Sequence, residues 1–397
     1  MSSEIGQRKK SGSSRFLVRI LVAIVVGAVL GFVLPDIGIR MFKTVNLLFA
    51  QLLKFIVPLL ILGLVTPAIA DVGKGAGKML AAVVVVSYFS TVAAAFFAYC
   101  ASGLLLPHYI AQGAFQSVGN GKEFLPFFTL KIPPICDVLT ALVLSFMVGV
   151  GIAHTGSESL KRGASDFGAI VKLAIMRVII PGLPVYIMTM ISEMTASGKL
   201  SAMAGVLFKV IGTGWGLTLV FLIALYIAAG TVAGRNPLLC LWRMLPAYLT
   251  GLSIASSSAV IPVTLECCER NGISKNVRDL VVPLCANVHL AGSAIKMLTC
   301  AFAISILYGF EMPFADVVNF IFIFAITAIA APGVMGGVLM ASVGFVESIL
   351  GFTSEQTAFL ITFYLAFDGY GPAANVTADG AIALSLDRFF GRVKSAG

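Results

Sequence analysis

Long runs of apolar residues recur along the whole chain of 397 residues. A transmembrane helix needs about 20 mostly apolar residues, and the first run, residues 16–35, already has this length. Charged residues make up only 11% of the chain, less than half of the roughly 25% found in soluble domains. We therefore predict an all-α polytopic membrane protein, whose first run is retained as a span and not removed as a signal peptide.

Lysines and arginines cluster in alternate loops and give the chain a formal net charge of +9. The clusters precede the first predicted span and recur near residues 74–78, 161–162, 235–243, 270–278 and 388–394. Alternating the spans places all of them on one side of the membrane, and basic loops mark the cytoplasmic side. We therefore predict a protein of the plasma (inner) membrane with both termini in the cytoplasm. The basic residues indicate orientation in the lipid bilayer and not binding of nucleic acid.

The apolar segments before Arg235 are long and continuous, whereas those after it are interrupted. Six long segments come first, at about 16–35, 42–70, 77–105, 134–155, 162–195 and 201–233, with a loop predicted at Asp36 to Lys43 and a bend at Pro181 and Pro184. An interrupted hairpin followed by a broken span then occurs twice. The hairpins are predicted at 236–269 and 313–352, and the broken spans at about 277–310 and 355–386.

Residues that break helices interrupt both predicted hairpins. Ser256-Ser257-Ser258 and Pro262 lie in the first, and Pro332, Gly333 and Gly336 lie in the second. Non-helical backbone at membrane depth is tolerated only inside protein or beside a water-filled cavity. Two such interruptions in corresponding positions indicate the central site of a transporter. A gated ion channel, which also uses re-entrant segments, is the alternative from a different class.

Three polar residues of the last span, Asp368, Asn375 and Asp379, are spaced at i, i+7 and i+11. On a continuous helix these positions fall within about 20° of one face. A carboxylate at the centre of the bilayer costs at least about 2.5–3.5 kcal/mol, so two of them require a bound cation or a positive partner. The alternative is a buried ion-pair network that holds no ligand.

The preceding broken span carries His289, Ser293 and Lys296 at i, i+4 and i+7, which also share a helix face. A lysine buried there would lose its proton or pair with a carboxylate. Asp368 and Asp379 are the natural partners if the two spans pack together. The alternative is that Lys296 reaches an interface and that His289 is an ordinary hydrogen-bonded core histidine.

Enzyme motifs are absent or poor in this sequence, and we predict no enzymatic activity. Residues 73–78, Gly-Lys-Gly-Ala-Gly-Lys, only faintly resemble a phosphate loop, because no strand precedes them and no Ser or Thr follows. The chain contains neither His-Glu-x-x-His nor Gly-x-Ser-x-Gly. The seven cysteines are predicted to be buried small hydrophobic residues without a disulfide framework.

In this order and spacing, the segments resemble the dicarboxylate/amino acid:cation symporter family, also called the glutamate transporter family. The resemblance runs from about residue 16 to 392. Its most specific stretches are Ser256 to Thr264, Ala331 to Gly337, and Asp368 together with Asn375 to Asp379. Lys54 to Leu59 also resembles the family.

The resemblance implies eight transmembrane segments plus two re-entrant helical hairpins, in a homotrimer whose subunits work by an elevator movement. It divides the chain into a cytoplasmic tail (1–15), scaffold and trimerisation spans (16–76 and 134–195), a transport domain (77–133 and 201–392) and a C-terminal tail (393–397). It places substrate contacts at Ser256, Ser257, Ser258, Ser293, Val334, Asp368, Pro372 and Asn375. It places cation contacts at Cys285, Asn287, His289, Asn375 and Asp379, where Asn375 and Asp379 would supply the oxygen ligands that Na⁺ requires.

Two departures from the family pattern bear on substrate and coupling. Members that carry acidic substrates have an arginine three residues after the first aspartate, where this chain has Gly371. Without a guanidinium to bind a side-chain carboxylate, we predict a small neutral amino acid as the substrate. The acid of one family sodium site is replaced by Ala291, which implies coupling to fewer sodium ions. Lys296 or His289 could supply the lost positive charge or carry a proton.

These observations predict a secondary active symporter that moves a small amino acid, similar to serine, threonine or alanine, together with Na⁺. The alternative within the same fold is proton- or sodium-coupled symport of a dicarboxylate or an acidic amino acid.

Overall fold

A computed structural model describes residues 2–73, 78–114, 124–198, 200–331, 336–366 and 368–391, and every regular element in these residues is helical. Sixteen α-helices are described in these ranges. They are α1 (Ser2–Val33), α2 (Asp36–Gly73), α3 (Lys78–Leu105), α4 (Val138–Thr155), α5 (Glu158–Ala174), α6 (Ile180–Ala196), α7 (Leu200–Ala233), α8 (Pro237–Arg243), α9 (Leu245–Ile254), α10 (Ser257–Arg270), α11 (Lys275–Val288), α12 (Ala291–Tyr308), α13 (Phe314–Ala330), α14 (Gly337–Ser348), α15 (Ser354–Ala366) and α16 (Tyr370–Phe390).

The loop predicted at Asp36 to Lys43 is wrong, because α2 already begins at Asp36. Pro35 disfavours helical backbone at Leu34, which ends α1 at Val33. Asp36 then occupies the first turn of α2, where an acidic side chain complements the helix dipole. The first two long helices are therefore separated by two residues only.

A π-helical stretch, Ile175–Ile179, lies between α5 and α6 near the predicted bend at Pro181, and the bend itself stays a prediction. Proline has no N–H to donate to the preceding turn, and the irregular turn lies directly N-terminal to Pro181. Helix α6 then continues through Pro184. α6 packs along α1, and α2 packs along α4, α5 and α6.

The first predicted hairpin corresponds to α8, α9 and α10, and the second to α13 and α14; their re-entrant arrangement stays a prediction. In the first hairpin, α8 and α9 meet at an angle of 43°, and α10 returns after a break at Ala255 and Ser256. Ala255 has a left-handed backbone (φ +53°), so the chain reverses here without a glycine. In the second hairpin, α13 ends at Ala330 and α14 begins at Gly337.

The two broken spans lie at the centre of the molecule. Helices α11 and α12 are separated by His289 and Leu290, and α15 and α16 by residues 367–369. In an apolar 18-residue stretch of the span Lys275–Tyr308, 94% of the residues are buried within the protein, against 33–50% in the corresponding stretches of the other long apolar helices. Helix α12 packs against α3, α7 and α16. Since these helices shield α12 from lipid, it can carry polar residues.

In the described residues, five helices are long and apolar enough to cross a membrane, or six if the bent pair α8 and α9 is one span. Shorter apolar helices lie at Val18–Val33, Thr140–Thr155, Phe314–Ile329 and Gly337–Ser348. The exact arrangement of eight spans and two hairpins, and the division into scaffold and transport domain, remain predictions.

Candidate functional site

The two broken spans contact each other through backbone at their interruptions. A Cβ atom on Gly292, in the first turn of α12, would lie 2.5 Å from the carbonyl oxygen of Gly371 in α16. Glycine at this position therefore permits the close approach. Gly369 has the same role towards the first hairpin, because a Cβ there would lie 2.3 Å from the carbonyl oxygen of Leu252. These contacts bring the unwound segments and a hairpin tip together.

The side chain of Asn375 in α16 forms hydrogen bonds with the free backbone N–H groups at the N-terminus of α12. Its Oδ1 accepts hydrogen bonds from the backbone N–H groups of Gly292 (2.8 Å) and Ser293 (3.2 Å). Its Nδ2 donates to Ser293 Oγ at 3.0 Å. The first N–H groups of a helix have no partner within the helix, so this amide replaces the missing partners. The side chain of Asn375 is thereby fixed in orientation.

A buried ion pair joins α12 to the break before α16. Lys296 Nζ lies 2.7 Å from Asp368 Oδ1, and the two side chains are 1% and 4% exposed. The other carboxylate oxygen accepts a hydrogen bond from the N–H of Gly336 (3.1 Å), at the end of the second hairpin tip. The Lys296 ammonium also lies 3.8 Å from the ring centroid of Tyr364 and 5.3 Å from that of Tyr370. Carboxylate and aromatic faces both stabilise the ammonium.

The second carboxylate of α16 contacts a histidine. His289 Nδ1 lies 3.0 Å from Asp379 Oδ1, and His289 Nε2 lies 2.9 Å from Ser90 Oγ of α3. A carboxylate only accepts hydrogen bonds, so Nδ1 is the donor in this contact. Asp379 Oδ2 is buried and has no hydrogen-bond partner within the described part of the chain. A hard cation such as Na⁺ prefers an oxygen of this kind, so Asp379 Oδ2 fits a co-transported cation.

One small cavity lies between the break before α10, at Ser256 and Ser257, and the start of α14, at Gly336 and Gly337. Its volume is about 30 Å³, enough for about one water molecule. The lining includes Ser256, Ser257, Ser293, Gly336, Asp368, Pro372 and Asn375. The structure therefore brings together most of the residues for which the resemblance implies substrate contact. An amino acid would need a larger space, so the surrounding elements must separate to admit one.

The remaining predicted site residues lie in other surroundings. Ser258 Oγ donates to Asn287 Oδ1 at 3.2 Å, and Asn287 is exposed. Cys285 Sγ lies 3.5 Å from Ser87 Oγ of α3 and is a soft atom that suits Na⁺ poorly. Val334 lies outside the described residues. The cation roles of Cys285 and Asn287 thus have less support than that of Asp379.

Two sequence expectations about helix faces are wrong. Asp368 precedes the first residue of α16, and His289 lies between α11 and α12, so neither residue belongs to a continuous polar stripe. Lys296 does not reach an interface either, because it is fully buried. The pairing of Lys296 with a carboxylate of the other broken span is confirmed.

Several residues of the site were not identified from the sequence. Tyr364 and Tyr370 surround the Lys296 ammonium, and Ser90 and Thr91 of α3 contact the break at His289. Aromatic and hydroxyl residues are common in membrane helices, so nothing in the local pattern distinguishes these four. The position of Tyr364 four residues before Asp368 is the only sequence pattern that could have linked it to the site.

Residues 16–389 match the model of the sodium:dicarboxylate symporter family. The chain belongs to this family. It is 28% identical over 337 residues to the serine/threonine transporter SstT of Streptococcus thermophilus strain CNRZ 1066, and this match covers 81% of the chain and 82% of the relative. The same identity and coverage are found for SstT of strains ATCC BAA-250 / LMG 18311 and ATCC BAA-491 / LMD-9. Family membership and the long apolar helices make this chain a multi-pass membrane transporter.

Proposed function

We propose that the chain is a secondary active symporter of the plasma membrane, which carries a small neutral amino acid into the cell together with Na⁺. The observation that carries the proposal is the convergence of Ser256, Gly336, Asp368 and Asn375 on one cavity. Such a cavity supplies backbone N–H groups for a substrate carboxylate and a side-chain carboxylate for its amino group. The name of the serine/threonine transporters that resemble the chain supports the same substrate class.

The residue at position 371 supports a neutral side chain on the substrate. Gly371 has no guanidinium that could bind a second carboxylate. Asp379 Oδ2, which has no hydrogen-bond partner in the described residues, supports Na⁺ as the coupling ion. Asn375 lies one turn before Asp379 on the same helix.

A homotrimeric elevator is part of the proposal. Helices α1, α2, α4, α5 and α6 pack with one another, whereas α12 and α16 pack with α3 and α7, and the first hairpin packs against α16. The first group would be the scaffold, and the second would be the moving transport domain. The second hairpin contacts α2 and would therefore slide along the scaffold. The alternation of basic loops supports cytoplasmic termini.

A second candidate is symport of a dicarboxylate or an acidic amino acid with protons or sodium. One observation favours it: both carboxylates, Asp368 and Asp379, already contact a basic side chain. In addition, a Cβ on Gly371 would lie 3.6 Å from Lys296 Cδ. The side chain of Lys296 thus runs beside the place where the family's arginine would begin.

Uptake into proteoliposomes distinguishes the two candidates. The purified protein is supplied with labelled serine, threonine, alanine, glutamate and succinate, and an inward Na⁺ gradient or an inward proton gradient is imposed separately. We expect accumulation of the neutral amino acids driven by Na⁺ alone. Accumulation driven only by protons, or of the dicarboxylate only, would replace the first candidate by the second. Saturation and accumulation exclude the channel, which would pass current without solute.

A further inference from the structure

The buried pair of Lys296 and Asp368 has an asymmetric position at the cavity. Asp368 lines the cavity, whereas the Lys296 ammonium lies behind it, fully buried between Asp368 and the ring of Tyr364. A solute in the cavity can therefore approach the carboxylate from one side while the lysine holds it from the other. Binding of a solute does not require Lys296 to leave.

Oδ2 of Asp368 is the carboxylate oxygen that can replace its hydrogen-bond donor by a substrate. Asp368 Oδ1 contacts Lys296, and Oδ2 accepts from the Gly336 N–H of the second hairpin. A substrate ammonium that reaches Asp368 would compete with this backbone N–H, which belongs to the hairpin tip. The ion pair itself would persist in both the loaded and the empty protein.

A symporter must reorient its site both with substrate and without it. A carboxylate at membrane depth is costly unless it is paired. In the loaded protein the amino group of the substrate can supply the partner. In the empty protein that partner has gone, and only a second cation can prevent an unpaired buried charge.

We propose that Lys296 is a tethered counter-ion, which keeps Asp368 paired after the substrate has left and allows the empty carrier to return without a transported counter-cation. This inference rests on the proposed function in one respect, namely that the substrate carries an amino group. It also deepens that function, because Lys296 becomes a positioning residue for the carboxylate and not a ligand of the substrate.

Lys296 as a counter-ion also affects how tightly the amino acid binds. Two ammonium groups that share one carboxylate repel each other, so Lys296 weakens the attraction of Asp368 for the substrate's amino group. Removing the lysine should strengthen binding of the amino acid. If Lys296 instead binds a carboxylate of the substrate, its removal should weaken binding.

The decisive experiment compares net uptake with exchange for Lys296→Met in proteoliposomes. Net uptake is measured into vesicles free of amino acid, and exchange into vesicles loaded with the unlabelled amino acid that the wild-type protein accumulates best. We expect net uptake to fall at least about tenfold, given the cost of an unpaired carboxylate at membrane depth, while exchange stays within a few-fold and the KM for exchange decreases. The control is Lys209→Met, because Lys209 is exposed and donates to the carbonyl of Tyr109; both modes should be unchanged.

Equal loss of exchange and net uptake, or a raised KM for exchange, would overturn the proposal.

If the variant does not fold, the wild-type protein supplies a second test. Its net uptake should be the same whether the vesicle lumen contains K⁺ or only N-methyl-D-glucamine, because the counter-ion is built in. A requirement for a lumenal alkali cation in net uptake, but not in exchange, would also overturn it. Failure of the wild-type protein to accumulate any amino acid would instead reject the proposed function.

Discussion

His289 Nδ1 lies 3.0 Å from Asp379 Oδ1, with both side chains essentially inaccessible to solvent. The histidine occupies one oxygen of the carboxylate, while Oδ2 has no hydrogen-bond partner in the described residues. A co-transported cation and the imidazole would therefore share a single carboxylate. If Na⁺ binds at Asp379 as proposed, any positive charge on the His289 ring would oppose the cation and weaken its binding.

We predict that His289→Asn increases the stabilisation of the protein by Na⁺. Asparagine is neutral, so it removes any positive charge from this position. A tenfold gain in Na⁺ affinity would add about 1.4 kcal/mol of stabilisation when the Na⁺ concentration is well above the Kd of the parent protein. The measurement is the thermal unfolding midpoint in detergent, in NaCl against choline chloride.

The control for this variant is His154→Asn, because His154 lies exposed in the last turn of α4. Its midpoints should match those of the parent in both salts. An identical Na⁺ response of the parent and His289→Asn would show that His289 does not affect the cation.

The ion pair of Lys296 and Asp368 should show strong energetic coupling. Removing one partner of a buried pair leaves an uncompensated charge and costs about 3–5 kcal/mol. We therefore expect Lys296→Met and Asp368→Asn each to lower the unfolding midpoint strongly, whereas the double variant should recover most of the loss. A double-mutant cycle of the unfolding midpoints measures this coupling.

The pair of Glu266 and Arg270 on α10 is the matched control. Its atoms lie 2.5 Å apart, but both side chains are more than half exposed, so its removal should change stability by less than about 1 kcal/mol. Additive effects of Lys296→Met and Asp368→Asn would mean that the buried pair contributes no coupling.

Moving the positively charged side chain from position 296 in α12 to position 371 in α16 should change which substrates the protein binds. A Cβ on Gly371 makes only ordinary contacts, 3.5 Å from Ser293 Oγ and 3.6 Å from Lys296 Cδ. Gly371→Ala should therefore be tolerated. Gly371→Arg alone should impair transport, because the guanidinium would lie close to the Lys296 ammonium. In Gly371→Arg with Lys296→Ala, the repulsion is removed and the new arginine can bind a side-chain carboxylate bidentately.

We expect the double variant to be inhibited by aspartate and glutamate, measured as competition against labelled serine uptake. The single variants and Gly371→Ala should not gain this inhibition. If the double variant transports serine but ignores both acidic amino acids, the arginine position does not determine the choice of substrate.

Pro332 lies outside the described residues, and Pro262, which was also predicted to interrupt the first hairpin, lies inside α10. The sequence did predict the break at the serine triplet, since α9 ends at Ile254 and α10 begins at Ser257. It could not predict where each helix resumes. Asp368 and Asn375 are spaced as on one helix, but α16 begins only at Tyr370, and the neighbouring contact of Gly369 with Leu252 O depends on packing against a distant part of the chain. The loop expected at Asp36 was wrong for a related reason: charged residues at 36 and 40 indicate a membrane boundary and not the end of a helix.

The partners within the site were only partly predictable. A buried lysine requires a carboxylate, so the candidates for Lys296 could be reduced to Asp368 and Asp379 from the sequence. Which of the two carboxylates pairs with Lys296 depends on the relative register of α12 and α16. The hydrogen bonds from the Gly292 and Ser293 N–H groups to Asn375 Oδ1 fix this register. Long-range packing of this kind leaves no pattern in a single sequence.

One ion pair crosses the boundary between the proposed scaffold and the proposed transport domain. Lys54 Nζ of α2 lies 3.0 Å from Glu347 Oε2 at the end of α14, and the two side chains are 36% and 17% exposed. A pair with this exposure stabilises its arrangement by at most about 1 kcal/mol. It can therefore bias one position of a moving domain without preventing the movement.

We predict that charge reversal by Lys54→Glu lowers the initial rate of uptake, because it places two carboxylates against each other at the sliding surface. The swap Lys54→Glu with Glu347→Lys should restore the rate. Lys43 and Glu193 form the matched control, since this pair (2.5 Å) joins α2 to α6 within the proposed scaffold and is similarly half-buried. Reversal of Lys43 should lower stability but leave the rate per folded protein unchanged. If reversal of Lys54 affects stability alone, as at Lys43, then α2 and α14 do not move past each other during transport.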